Sequence, residues 1–218
     1  MPLTVRRDRR ARRYSLRLEP KDGSLTLVLP ERASLSEALR FAQRKAGWVE
    51  RQIVGLPPRI PFAADAVVPV LGEDHVIRHR PEARRGTWRE DGEILVSGLA
   101  DYLPRRVTDY LKREARTEIM RRAEAKAALI DRRVAKVGVR DTRSRWGSCS
   151  SDGRLSFSWR LILAPEPVLD YVVAHEVGHL VHMDHSQRFW SLVATLTDEV
   201  EGPRRWLKRH GAALHRYG

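Results

Sequence analysis

The chain has 218 residues, 42% of them hydrophobic, enough for one large domain or two small ones with a buried core. It carries 41 Lys and Arg against 28 Asp and Glu, a formal charge of +13, and one cysteine, Cys149, which excludes an internal disulfide and a cysteine-rich zinc site. No stretch approaches the roughly 18 uninterrupted apolar residues of a membrane span, so no membrane partner is expected.

The N-terminus, MPLTVRRDRRARRYSLRL, is basic but has no apolar core of a secretory signal, which points to the cytoplasm. Past this arm, YSLRLEPKDGSLTLVLP alternates apolar and polar residues on both sides of Asp22-Gly23, a hairpin pattern. Ser34 opens SLSE, a capping box with Glu37. It predicts a helix to about Val54 that buries Leu35, Leu39, Ala42, Ala46 and Trp48 or Val49. GLPPRIPF breaks that helix, and short strands around the turns LGED and EDGE follow from about Val67 to Val96.

From Pro104 the pattern turns helical. Val107, Leu111, Ala115 and Ile119 fall near one face, with Pro104 in the first turn. RVAKVGVRD then alternates as a strand, RWGSCSSDG reads as a loop, RLSFSWRLIL as another strand, and APEPVLD opens a further helix. These patterns divide the chain near residue 103 into a mixed, β-rich part (1–103) with a basic arm and hairpin, and an α+β part (104–218).

The second part holds the most informative stretch, AHEVGHLVHMDHSQRF, residues 174–189, with four of the chain's eight histidines. Positions four apart share a helix face, so His175 and His179 can aim ring nitrogens at one cation. Glu176 lies about 100° round the helix, too far to be an ideal ligand but placed to reach a water on the metal. A hydrolytic zinc needs a third ligand and an open position. His185 suits that role only if the helix ends first, since a continuous one would carry it about 240° round and some 9 Å along. Asp184 suits a turn, and Ser186 can cap a new helix, SQRFWSLVATL. The spacing H-E-x-x-H-x-x-x-x-x-H matches that of metzincins, although His182 stands where they have glycine.

The other face of the motif helix, Leu169, Val172, Val173 and Leu180, is apolar and can dock on a core. The competing reading is an inert pair of helical histidines. His182 reads either as a support to the site or as an ordinary half-exposed residue, and His75, His79, His210 and His215 have no motif around them. Gly178 costs a helix about 1 kcal/mol against alanine, which implies a close neighbour or a needed gap.

TRSRWGSCSSDGRLSFSWRLILAPEPVLDYVVAHEVGHLVHMDHSQRFW, from Thr142 to Trp190, resembles the YgjP-like zinc metallopeptidases, relatives of the SprT-like and WLM proteases. The likeness rests on RWGSCS, LAPEPVLDYVVAHE and HSQRFW in linear series, with a weaker likeness upstream. It implies an α+β, zincin-like minimal core of gluzincin type, in which the HExxH helix lies beside a small antiparallel sheet. It also implies one zinc held by His175, His179 and His185, with Glu176 as general base. Val177-Gly178 departs mildly from the bulkier residues usual there.

The expected chemistry is hydrolysis of a protein or peptide. Zinc lowers the pKa of its water towards about 7, and Glu176 takes the proton and returns it to the leaving amine. His182, Arg143, Arg145 and Tyr217 are candidates to stabilise the oxyanion. Leu155–Trp159 reads either as an edge strand for substrate or as a core strand. In RWGSCS, Trp146 and Cys149 suit packing, and Arg143 and Arg145 could meet Asp170 or Glu166. No neighbouring histidine or acid argues for an activated cysteine.

The positive charge allows a second class of function, a nucleic-acid-associated zinc protein or a protease of DNA-bound proteins. The basic residues are scattered through RRDRRARR, RRGTWR and RRWLKRH, however, and a solvated arginine-rich surface explains them equally well. Glu176 favours the hydrolase, because a structural three-histidine site has no use for a proton acceptor.

Overall fold

The computed structural model describes residues 3–18, 24–54, 58–142 and 144–218. Its contacts group into two compact units, residues 1–59 with 215–217 and residues 60–214 with Gly218. Residue 103, where the sequence suggested a division, lies inside the second unit.

The first unit holds strands β1 (Leu3–Asp8), β2 (Ser15–Leu18) and β3 (Leu25–Pro30) in the order β1-β3-β2. β2 runs antiparallel to β3, and β1 runs parallel to it. The expected turn at Asp22-Gly23 lies outside the described residues. Leu27 and Leu29 face Ala38 in a small core, packed round by Tyr14, Leu16 and Phe41.

Ser34 caps α1 (Leu35–Arg44), its hydroxyl accepting the Glu37 N–H at 3.4 Å. The single helix expected to Val54 is two, because Lys45 leaves helical geometry (φ −96°, ψ 4°) before α2 (Ala46–Val54). The buried face also differs. Leu35 is 45% exposed and Leu39 is exposed as well, while Ala38 is buried; of the pair Trp48 or Val49, Val49 is the buried one, as one alternative had it. A small residue lets the helix approach β3 closely, so the alanine rather than the leucines meets the sheet.

The second unit begins with β4 (Val67–Val70), β5 (Glu73–His79), β6 (Thr87–Glu90) and β7 (Glu93–Val96), in the order β4-β5-β7-β6. Leu71-Gly72 and Asp91-Gly92 both have positive φ at each residue, the two-residue hairpin turns expected around LGED and EDGE. α3 (Leu103–Leu129) then buries Val107, Leu111, Ala115 and Ile119 completely, as its periodicity predicts.

β8 (Lys136–Arg140), β9 (Gly147–Cys149) and β10 (Arg154–Ser158) form the sheet beside the histidine motif, in the order β8-β10-β9. β9 is antiparallel to β10, but β8 is parallel to it, so the sheet is mixed. β10 is the central strand, and Leu155–Trp159 is therefore core; the edges are β8 and β9. The strand expected through Leu163 stops at Ser158, and Trp159–Leu163 form a buried 3-10 turn.

α4 (Glu166–Gly178), α5 (Gln187–Leu196) and α6 (Glu201–Leu214) complete the chain. α4 is buried on most of its circumference, Leu169, Val172, Val173 and Val177 included. Its polar start is tied to α3: Arg122 pairs with Glu118 and, at 2.6 Å, with Glu166, while Lys126 reaches Asp170 at 2.9 Å. Glu166 and Asp170 thus take their partners from α3 rather than from Arg145, and Arg143 lies outside the described residues. Among the described residues the fold is α+β, with six helices and three small mixed sheets, and no helix is long and apolar enough to cross a membrane.

Candidate metal centre

α4 carries His175 and Glu176 in its last turn and ends at Gly178, with His179 as the residue that closes it. The helix therefore stops where the third histidine requires it to. The Leu180 and His182 N–H groups turn back onto the Val177 and Gly178 carbonyls. The Asp184 carboxylate then accepts the Ser186 N–H at 3.1 Å, which sets the entry to α5. Ser186 occupies the cap position, but its hydroxyl makes no capping bond. Between these two helix ends the chain swings His185 back over His175.

One ring nitrogen from each of His175, His179 and His185 lies within 4.8 Å of the other two, and the Nε2 atoms of His175 and His185 are 3.2 Å apart. Nitrogens at 2.0–2.1 Å around a tetrahedral zinc are about 3.3–3.4 Å from one another, a spacing the His175–His185 pair approaches, and three donors this close could hold one metal ion. His179 donates from Nδ1 to the His182 carbonyl at 2.9 Å, which leaves its Nε2 lone pair for a ligand. His182 thus serves the site through its backbone, with its own ring half-buried. His175 Nδ1 is buried with no hydrogen-bond partner among the described residues.

Burial, followed by the neighbouring His179 and His185, pushes His175 down to about 4, and burial also lowers His179. Both rings are accordingly neutral near pH 7, the form that binds metal. Glu176 is only 6% exposed, and burial pushes its carboxyl up to about 7, against the pull of the Arg145 charge. The group beside the histidines is therefore poised to exchange a proton near neutrality.

Three contacts that hold this arrangement escaped the sequence reading. A Cβ on Gly147 would sit 2.5 Å from Glu176 Cγ and Oε1, so only glycine lets β9 pass against the carboxylate. Phe189, fully buried, stacks on His179 at 4.5 Å between ring centroids and lies 5.0 and 4.9 Å from His175 and His185. Trp190 closes the other side, 5.6 and 5.7 Å from the same two rings, with Arg204 over its face. The signal for the two aromatics was HSQRFW: they stand three and four residues past the Ser186 cap, at the start of α5. Gly178 has the close neighbour that its cost implied, since a Cβ there would lie 3.0 Å from Val193 Cγ2 and 3.1 Å from the Phe189 ring.

The remaining candidates separate. His75 and His79 bond to the Glu73 and Gly98 carbonyls, and His210 stacks on Trp206. Cys149 is pushed up to about 11 by burial and by the charge of Glu176, so its thiol stays protonated and unreactive. Of the four groups considered for an oxyanion, Arg145 is the one whose charge acts on Glu176. Arg143 lies outside the described residues, and Tyr217 belongs to the first unit.

Compared with known proteins, the chain matches one family model, YgjP-like, metallopeptidase domain, over residues 12–210. No curated protein and no solved structure gives a significant match.

Proposed function

The chain belongs to the YgjP-like metallopeptidase family, and on that premise we propose that His175, His179 and His185 hold one zinc ion and that Glu176 is the general base in hydrolysis of a protein or peptide. The observation that carries this reading is the meeting of three imidazole nitrogens within 4.8 Å, next to a buried carboxyl in the following helical position. When bound, the cation supplies Lewis-acid polarisation of a carbonyl and makes a coordinated water ionise near pH 7.

The chain's own residues supply the rest. Glu176 accepts a proton from the attacking water and passes it to the amine nitrogen as the C–N bond breaks. Its raised pKa suits both transfers at neutral pH, being neither so low that it is a weak base nor so high that it stays protonated. The outer edge of β9 lies beside this carboxyl at Gly147, where an extended peptide can add as a further strand. His185 is exposed while His175 and His179 are half-buried, so the site opens to solvent on one side for a substrate.

The test is the pairing of metal content with cleavage. Purified protein should hold about one zinc per chain and degrade an unfolded protein such as casein. Glu176→Gln should keep the metal and lose on the order of 10²–10⁴-fold in rate. Equal cleavage by both proteins would remove Glu176 from the mechanism, and full metal retention by His185→Ala would remove the third ligand.

A further inference from the structure

The face of the β8-β10-β9 sheet that carries Lys136, Arg140, Ser148, Arg154 and Ser156 is concave. Side chains alternate across strands, and the register pairs Ser156 with both Gly138 and Ser148, and Arg154 with Lys136. Small residues therefore form a floor across all three strands, while long cations rise at the ends. The hollow encloses about 440 Å³, and Arg145 reaches it from the loop before β9. Among the described residues its lining contains no acidic side chain and no aromatic one.

The cations are available. Lys136, Arg140 and Arg145 are exposed and make no ion pair among the described residues. Arg154 alone is partly neutralised, by Asp152 at 2.8 Å. The nearby Asp141 is occupied by Arg160 at 2.8 Å. Cations gathered round hydroxyls, with Asp152 the one acid ion-paired to them among the described residues, form a site for an anion with several oxygens.

Three features narrow the ligand. Lys136 and Arg140 are four residues apart on one strand, about 13 Å, so a lone phosphate cannot meet both, whereas successive phosphates on a strand can. The backbone amides of β10, at the centre of the groove, are committed to the sheet ladder on both sides, so an extended acidic peptide finds no main-chain pairing over that floor and would depend on its side chains alone. With no aromatic residue, the groove also has no platform on which bases could stack. We propose that this groove binds the sugar–phosphate backbone of nucleic acid, without regard to sequence, through Lys136, Arg140 and Arg145. It assigns part of the chain's +13 excess to a defined surface, and it does not depend on whether the metal centre is hydrolytic.

The experiment measures fluorescence anisotropy of labelled DNA, a duplex of about 20 base pairs and the matching single strand, at about 50 to 200 mM salt. Glu176→Gln serves as the parent, so that proteolysis plays no part. Both forms of DNA should bind, with affinity falling linearly in log–log against salt. Lys136→Gln/Arg140→Gln should weaken binding on the order of 10–100-fold at 0.1 M salt and make the slope shallower by about 2, at about 0.9 per lost contact. Both exchanged side chains are exposed, and an unchanged melting temperature checks the fold. A companion variant, Arg9→Gln/Arg10→Gln/Arg12→Gln/Arg13→Gln, neutralises the N-terminal arm and should leave a steeper slope than the groove variant.

Absence of binding to either DNA at about 50 mM salt would overturn the proposal. So would loss of binding in the arm variant with none in the groove variant, or tight binding of poly-glutamate with no binding of DNA.

Discussion

Gly147 and Glu176 interlock: the β9 backbone occupies the ground beside the carboxylate so closely that a methyl at 147 would lie 2.5 Å from both Cγ and Oε1. That contact sets the position of the group assigned as base. Gly147→Ala should therefore push the Glu176 side chain by about 1 Å and lower kcat/KM about 10²-fold. The three imidazoles are untouched, so zinc content should stay at the parent value. Measuring both on one preparation separates a displaced base from a damaged metal centre.

The burial of Glu176 also has a signature in stability. Its folded pKa of about 7 lies above the ordinary carboxyl value of 4.5, so between those pH values the folded state holds a proton that the unfolded state has released. That contribution is complete below about pH 4.5 and is lost as pH rises to about 7. Metal-free Glu176→Gln should match the metal-free parent near pH 4 and be more stable above pH 7, by at most about 3 kcal/mol. His175 acts in the opposite direction in both proteins: its lowered pKa adds stability as pH rises from about 4 to 6.5. The difference between the two unfolding curves isolates the carboxyl.

Some of this was legible in the sequence and some was not. The α3 stripe Val107, Leu111, Ala115, Ile119 could be read because a long helix on one core repeats its demand every turn. The three histidines could be read because sharing one cation would impose such a spacing, and the helix end between His179 and His185 followed from geometry. The buried face of α1 could not, since it turned on how close Ala38 comes to β3, a tertiary matter. Nor could the end of β10 at Ser158: Trp159–Leu163 are buried throughout, and an apolar run has no period to tell strand from turn. Strand order is equally non-local, which is why edge and core both stayed open for the central β10. Gly147 and Phe189 gain their roles only across the fold.

Phe189 touches all three imidazoles, so its removal should act on metal affinity as well as on packing. Phe189→Leu keeps an apolar side chain of smaller size and forfeits the ring contacts, at a cost of about 1–2 kcal/mol in the metal-free protein. Without the stacked ring His179 keeps the His182 carbonyl but loses its packing partner, and zinc affinity should fall on the order of tenfold. Competition with a chromogenic chelator reads the affinity; denaturant unfolding of the apoprotein reads the packing. An affinity equal to the parent's would make Phe189 a core residue with no part in orienting the ligands.

Asp170 offers the converse case, a charge whose loss should weaken the scaffold and spare the chemistry. Arg122 is 6% exposed, and Lys126 is nearly as buried. Asp170 lies 2.9 Å from Lys126, and its carboxylate also accepts the Thr197 hydroxyl at 2.8 Å. Glu118 and Glu166 still serve Arg122 when Asp170 is neutralised, but Lys126 keeps only the Leu196 carbonyl. A buried ammonium stripped of its counter-charge costs about 3–5 kcal/mol, so Asp170→Ala should lower the unfolding free energy by roughly that amount. His175 and His179 sit at the other end of α4, one to three turns on, and bonds within the helix hold that end independently. At temperatures where the variant stays folded, its zinc content and kcat should equal the parent's. A variant that unfolded as the parent does would mean that Lys126 reaches water in solution and that the α3–α4 pairing contributes little.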